Sequence, residues 1–373
     1  MLKTILKVSS LLAALALGYL SWYPLLSAYI RLDALGVVLV FSTASLLSIL
    51  FSLLMYRVRI TYIKMSVLVL LVILYITYLI FQNIDLFTIP FYGFSLALSS
   101  FAWKYINTIL SSSPRVPRSL KEKLLEFASR RAFIFSSLGC VLLAIITYLC
   151  GEFIAYGIAI LLFSVSSIPF FKLGPFSMIS VSREGEELPR PLLMYALMLI
   201  FALNITRPYI PAYLSYIGFN VAIISLFYAG VVVAIRAIAS IAQLVVTIHG
   251  PHTALLIRGL GTALLILTAA TSEHVGVSAI ALGIAIALSP FHSLGYTVLA
   301  SKVSKWSLLK AETLYTFMGI PASAIGLMLW IKDPRAILLF TAILSILSLA
   351  IMGKIKKLAR KGLMKLGTVH RCD

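Results

Sequence analysis

Charge is what this chain lacks most. Only 12% of its 373 residues are Asp, Glu, Lys or Arg, against roughly 25% in average soluble domains. A water-soluble chain of this size could not cover its surface with so few charges and would expose apolar area far beyond an ordinary patch. A soluble globular domain is therefore excluded. Cysteine is nearly absent, with three residues. Cys140 and Cys150 fall on one expected helix, about 15 Å apart along its axis, whereas disulfide Cα atoms must lie within about 7 Å. Cys372 is a tail thiol, so no disulfide framework is expected. The five histidines show no metal-ligand spacing, and there is no phosphate-binding glycine loop. No His, Asp, Glu or Cys cluster of the kind an active site needs is present. No catalytic residues, no metal and no cofactor are expected, and the chain does not read as an enzyme. Glutamine occurs twice and asparagine four times, a scarcity compatible with a heat-adapted source.

What is present is apolar length: 61% of residues are hydrophobic and mean hydropathy is +1.05. About 20 residues of helix cross the roughly 30 Å of bilayer hydrocarbon. On that measure twelve spans are expected, at 8–30, 34–55, 65–82, 88–111, 132–150, 152–171, 191–216, 220–247, 253–271, 275–300, 313–331 and 336–353. Lengths of this kind require helices, because lipid leaves every backbone polar group to be satisfied internally. Barrel strands would alternate over about ten residues, and nothing here does. Met1 to Lys7 followed by an apolar run resembles a secretory leader, but the run continues to Ile30 and is read as the first span. The weakest boundaries are the turns at 150–152 and 217–219.

The bases set the orientation. Of 31 Lys and Arg residues, 25 fall in the termini and in alternate connections, with Arg258 counted on that side. The opposite connections hold only Arg31, Lys332 and Arg335, while Lys104, Arg207 and Arg236 fall inside spans. Such a bias places both termini in the cytoplasm, and a plasma-membrane, multi-pass protein is expected. The net charge of +19 is thus a topology signal, and nucleic acid is not an expected partner. Ser119 and Glu122 fit a capping box that would open a short amphipathic helix through Phe127 before the fifth span.

The two halves echo each other. Pro24, Ser27, Ala28 and Tyr29 near the end of the first span correspond to Pro208, Pro211, Ala212 and Tyr213 in the seventh, displaced by 184 residues. Ala97, Leu98, Ser99 and Phe101 in the fourth correspond to Ala287, Leu288, Ser289 and Phe291 in the tenth, displaced by 190. Two matches at corresponding spans imply an internal repeat. The expected organisation is a six-helix bundle at 1–171, a cytoplasmic linker at 172–190, a second six-helix bundle at 191–353 and a basic tail at 354–373. The fold class is all-α, polytopic, with twelve transmembrane helices in two pseudo-symmetric bundles.

Across roughly residues 8–353 this plan resembles the major facilitator superfamily. Arg207, Pro208, Pro211, Ala212 and Tyr213 look like that family's first-helix pattern as repeated in its seventh. Ala234, Arg236 and Ala237, with Gly250 ending the span, are similar to its eighth, and Lys310, Ala311 and Glu312 to its approach to the eleventh. The connection at Tyr56–Lys64 keeps its bases but lacks that family's Gly and Asp. The resemblance implies a secondary transporter in which two six-helix bundles rock about a midplane site, moving a small polar or anionic solute by alternating access.

Ionisable residues within the membrane mark pathways. Arg207 lies roughly 16 Å and Arg236 roughly 27 Å along helix from the turn near Gly218, and a guanidinium suits carboxylate or phosphate. Both are candidate solute ligands, as are Lys104, Asn204, Tyr29 and Tyr213. The competing reading is that each Arg bonds carbonyls freed by neighbouring prolines, that Lys104 snorkels, and that the tyrosines anchor the interface. His292, behind Pro290, is the candidate coupling residue, with a packing role as its alternative. All 12 acids lie in loops or at span ends, which argues against carboxylate-driven proton symport. The expected partners are a small-molecule solute and the lipid bilayer, with the chain as a monomer. The rival class is a non-transporting scaffold or receptor-like membrane protein, and behind it an integral membrane enzyme.

Overall fold

The computed structural model describes residues 2–57, 60–81, 84–85, 87–98, 118–171, 186–301 and 303–357. Among these, the only strand-type pairing is a single bridge between Glu186 and Val303; nearly everything else is helix. The helices are α1 (Leu2–Leu20), α2 (Tyr23–Arg57), α3 (Ile60–Ile80), α4 (Phe87–Leu98), α5 (Arg118–Cys150), α6 (Glu152–Phe171) and α7 (Arg190–Thr206). A 3-10 turn at Arg207–Tyr209 leads into α8 (Ile210–Tyr216), followed by α9 (Val221–His249) and α10 (Pro251–Thr271). Then come α11 (Val275–Ala287), α12 (Ser289–Leu299), α13 (Lys305–Phe317), α14 (Gly319–Lys332) and α15 (Pro334–Ser348). Among the described residues, seven stretches are long and apolar enough to cross a membrane, and four shorter apolar helices accompany them.

The outward faces of these helices are apolar. Leu161 is 62% exposed, Ile280 65% and Ile331 75%. Side chains of this kind are stable in lipid and not in water, so the chain is a multi-pass helical membrane protein. Several hydroxyls on the helices follow the same rule. Ser9, Ser10, Thr77, Thr147 and Thr268 each donate to the carbonyl four residues back, leaving no exposed polar hydrogen for the lipid to solvate.

Turn chemistry settles the two boundaries that were weakest in the sequence. Gly151, between α5 and α6, has φ +93°, and Gly218, between α8 and α9, has φ +96°. Both occupy the left-handed region that glycine enters without steric penalty, the ordinary way to stop a helix and reverse the chain. The expected surface helix from Ser119 to Phe127 is not a separate element. α5 runs unbroken from Arg118, because no proline or glycine lies between 118 and 138 to end it.

Contacts divide the chain into two compact units. The first comprises Met1–Ser180 with Pro208–Val233, the second Val181–Arg207 with Ala234–Asp373. In the first, α1 packs along α5 and α6, and α3 lies on α6. A Cβ placed at Gly18 would run into the Ser136 carbonyl oxygen, and one at Gly139 into that of Leu15. The α1 and α5 backbones therefore touch, as small residues allow between membrane helices. The Cys140 thiol donates to the Gly18 carbonyl at this crossing, at 3.2 Å.

In the second unit α10 is central, packed on α11, α12 and α15, while α7 lies against α14 and α15. Its core joins Leu192, Tyr195 and Leu199 of α7 to Leu255 of α10 and Ala311 of α13. The strand-like residues before α7 are tied to the segment before α13. Ser304 N–H donates to the Glu186 carbonyl at 2.9 Å, and Leu188 N–H to the Ser307 hydroxyl at 3.0 Å.

Candidate functional site

Helix interruptions position the polar groups. α1 stops at Leu20, and α2 opens at Tyr23 with Pro24 in its first turn. α7 gives way to the 3-10 turn at Arg207, and Pro211 sits in the first turn of α8. α11 ends at Ala287 and α12 begins at Ser289 with Pro290 following. Proline lacks the N–H that would continue the ladder, so carbonyls one turn upstream are released at each place. The paired prolines at 24 and 208 thus mark the same kind of break in both halves. Ser99 and Phe101, the fourth-span partners of the third break, lie outside the described residues. A further break at Met318, before Pro321, separates α13 from α14.

Tyr29 stands on α2 just before a kink at Leu32 and Asp33, half-buried and within electrostatic reach of Tyr216. Tyr213, buried on α8, faces the same Tyr216 with ring centroids 6.5 Å apart. The first unit therefore gathers both candidate tyrosines around a third that sequence reading did not single out. In the second unit, Asn204 is half-buried near the end of α7 and Arg207 is exposed at its C-cap, its N–H donating to the Leu203 carbonyl. The Thr206 and Thr341 hydroxyls bond to each other, and Thr341 also donates to the Ala202 carbonyl at 3.1 Å. This clamp holds the α7 terminus against α15. Arg236 is half-buried on α9. Lys104 lies outside the described residues.

His292 stacks on two tyrosines: its ring centre is 6.2 Å from that of Tyr195, at 26°, and 5.6 Å from that of Tyr296, at 27°. Tyr195 donates to the Leu255 carbonyl at 2.6 Å, and the Tyr296 and Tyr315 hydroxyls bond at 3.2 Å. Its Nδ1 is buried without a hydrogen-bond partner.

Two ionisable residues matter more than the sequence indicated. Arg258, counted with the base-rich connections, is instead inside α10 and 4% exposed. Its guanidinium donates to the Ala285 carbonyl beside the α11–α12 break. Arg258 thus serves a carbonyl at a proline break, the kind of role also weighed for Arg207. A base seven positions after Pro251, inside an apolar helix, was the available signal. Glu152, at the start of α6, is half-buried rather than free in its turn. The Tyr78 and Tyr92 hydroxyls both donate to its Oε1. Tyr156 packs edge-on to Tyr78 and stacks on Tyr92, and the Arg31 guanidinium sits 5.9 Å from the Tyr92 ring centre. Those tyrosines arrive from α3, α4 and α6, a convergence that spacing along one chain does not display. Among the described residues no group of three metal-ligating side chains occurs.

No family model and no curated protein matches the sequence. Solved structures do. The nucleoside transporter NupG superposes with TM-score 0.71 at 13% identity, covering 95% of this chain and 99% of its own. The POT family transporter PepTSo gives TM-score 0.71 at 11% identity, covering 97% and 98%. The human organic anion transporter MFSD10 gives TM-score 0.62 at 13% identity, covering 94% and 98%. The chain has the fold of the major-facilitator-type transporters, as the repeat and its proline motifs implied. These neighbours are transporters and not enzymes.

Proposed function

We propose that this protein is a secondary transporter that moves a small polar or anionic solute by alternating access. The observation that carries the reading is end-to-end correspondence with transporter chains, in a protein whose helices break where polar residues enter the membrane. Interrupted helices at such depths are the usual means of presenting backbone and side-chain polar groups to a solute. Twelve crossings follow if Thr4–Leu53, 50 residues long and kinked at Asp33, counts as two and the shorter apolar helices each count as one. The proposed organisation is two six-helix bundles at 1–171 and 191–353, joined by the 172–190 linker, in a monomer of the plasma membrane with both termini cytoplasmic.

In this reading Asn204, Arg207 and Arg236 present polar and positive groups to the solute, with Tyr29, Tyr213 and Lys104 as further ligands. His292 couples movement to a proton. An anion is favoured because three bases, Lys104, Arg207 and Arg236, fall inside expected spans whose interiors hold no Asp or Glu, and embedded bases mark pathways.

The test is uptake into vesicles carrying the purified chain, across a panel of organic anions, nucleosides and neutral sugars. Saturable uptake of at least one solute is expected. Arg207→Gln should lower uptake of an anionic solute about tenfold or more, the loss of one charge-assisted contact. An unchanged rate in that variant would remove Arg207 from the site. No uptake of any solute would favour the scaffold-like alternative, which the missing Gly and Asp in the Tyr56–Lys64 connection keep in view.

A further inference from the structure

Arg258 is a buried cation in want of a partner. Its Nη1 serves the Ala285 carbonyl, but its Nε is buried with none. One turn along α10, Thr262 is 0% exposed and its hydroxyl also has no partner. Two other threonines of that helix, Thr268 and Thr271, donate to the carbonyls four residues back, at 2.9 and 3.0 Å. Thr262 departs from them. Residues four apart share a helix face, so the unpartnered hydroxyl and the guanidinium lie on one side of α10. Tyr195, whose hydroxyl donates to the Leu255 carbonyl of the same helix, stacks on His292, and the buried Nδ1 of His292 is a third unsatisfied atom.

The acids of the same unit do not answer this charge. Glu186, Glu187, Glu273, Glu312 and Asp333, the described ones, are all exposed. An unpaired buried guanidinium is strongly unfavourable, and so is each buried donor without an acceptor. Water would satisfy the hydroxyl and the imidazole but would leave the charge uncompensated. An anion satisfies all three.

We propose that Arg258 and Thr262, with His292 beside them, form a buried binding site for a small carboxylate inside the second unit. The carboxylate offers two oxygens, each able to accept more than one hydrogen bond. The Arg258 Nε–H and the Thr262 hydroxyl donate to it, and the imidazole adds a third donor in the tautomer protonated at Nδ1. This site differs from the Arg207 and Arg236 positions and is read by equilibrium binding. It therefore stands or falls separately from the uptake experiment.

The experiment titrates the full chain in detergent with sodium acetate, and in parallel with sodium chloride, following the thermal unfolding midpoint. A bulky sulfonate holds ionic strength constant. A saturable rise with acetate is expected. Thr262→Val, which keeps the shape and removes the hydroxyl, should weaken the apparent affinity about tenfold, and Arg258→Gln and His292→Gln should do so as well. Arg335→Gln, an exposed base at the start of α15, should bind acetate as the unaltered protein does. No saturable rise with acetate overturns the proposal, as does a rise with chloride alone. Unchanged acetate affinity in Thr262→Val also overturns it, and that variant decides the matter if Arg258→Gln does not fold.

Discussion

At the scale of single residues, Arg258 and Glu152 are two ionisable groups that packing has enclosed. Glu152 accepts two tyrosine hydroxyls at one oxygen, and hydrogen bonds to a charged acceptor each contribute roughly 1.5–3 kcal/mol. Tyr78→Phe and Tyr92→Phe should each lower stability by about that amount in thermal unfolding. The double variant should lose more than the sum, because in each single variant the surviving hydroxyl strengthens its hold on the shared oxygen and in the double variant neither remains. Strict additivity would show that the two tyrosines act independently. Asp33 offers a test of opposite sign. Its φ of 54° with ψ −150° lies in a region nearly reserved for glycine and is strained by about 1–3 kcal/mol. Asp33→Gly is expected to raise the unfolding midpoint, and a lowered one would mean that the side chain contributes more than the strain removes.

These residues also show where sequence reading reached its limit. Arg207 and His292 drew attention because a proline stood beside each, and Asn204 as a polar residue at a similar height. Arg258 did not, since a base near the end of an apolar run reads as an interface residue until neighbouring helices cover it. Glu152 follows Gly151 in a turn, so it counted as a loop acid. Its tyrosine partners at 78 and 92 are more than fifty residues away in sequence.

At the scale of elements, the apolar runs declared the helices well because lipid tolerates little else, and the proline motifs declared the breaks. Close approach between helices was not legible. Gly18 and Gly139 look like any other glycines in a membrane span, yet each faces the backbone of the other's helix. Gly18→Ala and Gly139→Ala should each force α1 from α5 and lower stability by about 1–3 kcal/mol through overpacking. The same substitution at Gly230, where a Cβ meets nothing within 4 Å, should not destabilise. A difference of this kind in thermal unfolding supports the crossing, and equal effects would argue against it.

At the scale of the whole molecule, the alternation of base-rich and base-poor connections is the ground for the proposed orientation, on which contacts within the chain are silent. Labelling at both ends of the chain in intact cells should fail unless the membrane is permeabilised, because both termini are proposed to be cytoplasmic. Surface labelling of the N-terminus would invert the topology. The resemblance to facilitator transporters was legible from two repeat matches and a few motif residues. The solute was not, since specificity resides in a few side chains grafted on a shared fold.

Solute counterflow tests the central claim most directly. Vesicles bearing the protein, preloaded with an unlabelled solute identified by uptake, are diluted into a trace of the same solute carrying a radiolabel. Alternating access predicts a transient accumulation of label above its equilibrium level, absent from protein-free vesicles. Label that rises only to equilibrium, at the rate of empty vesicles, would contradict it.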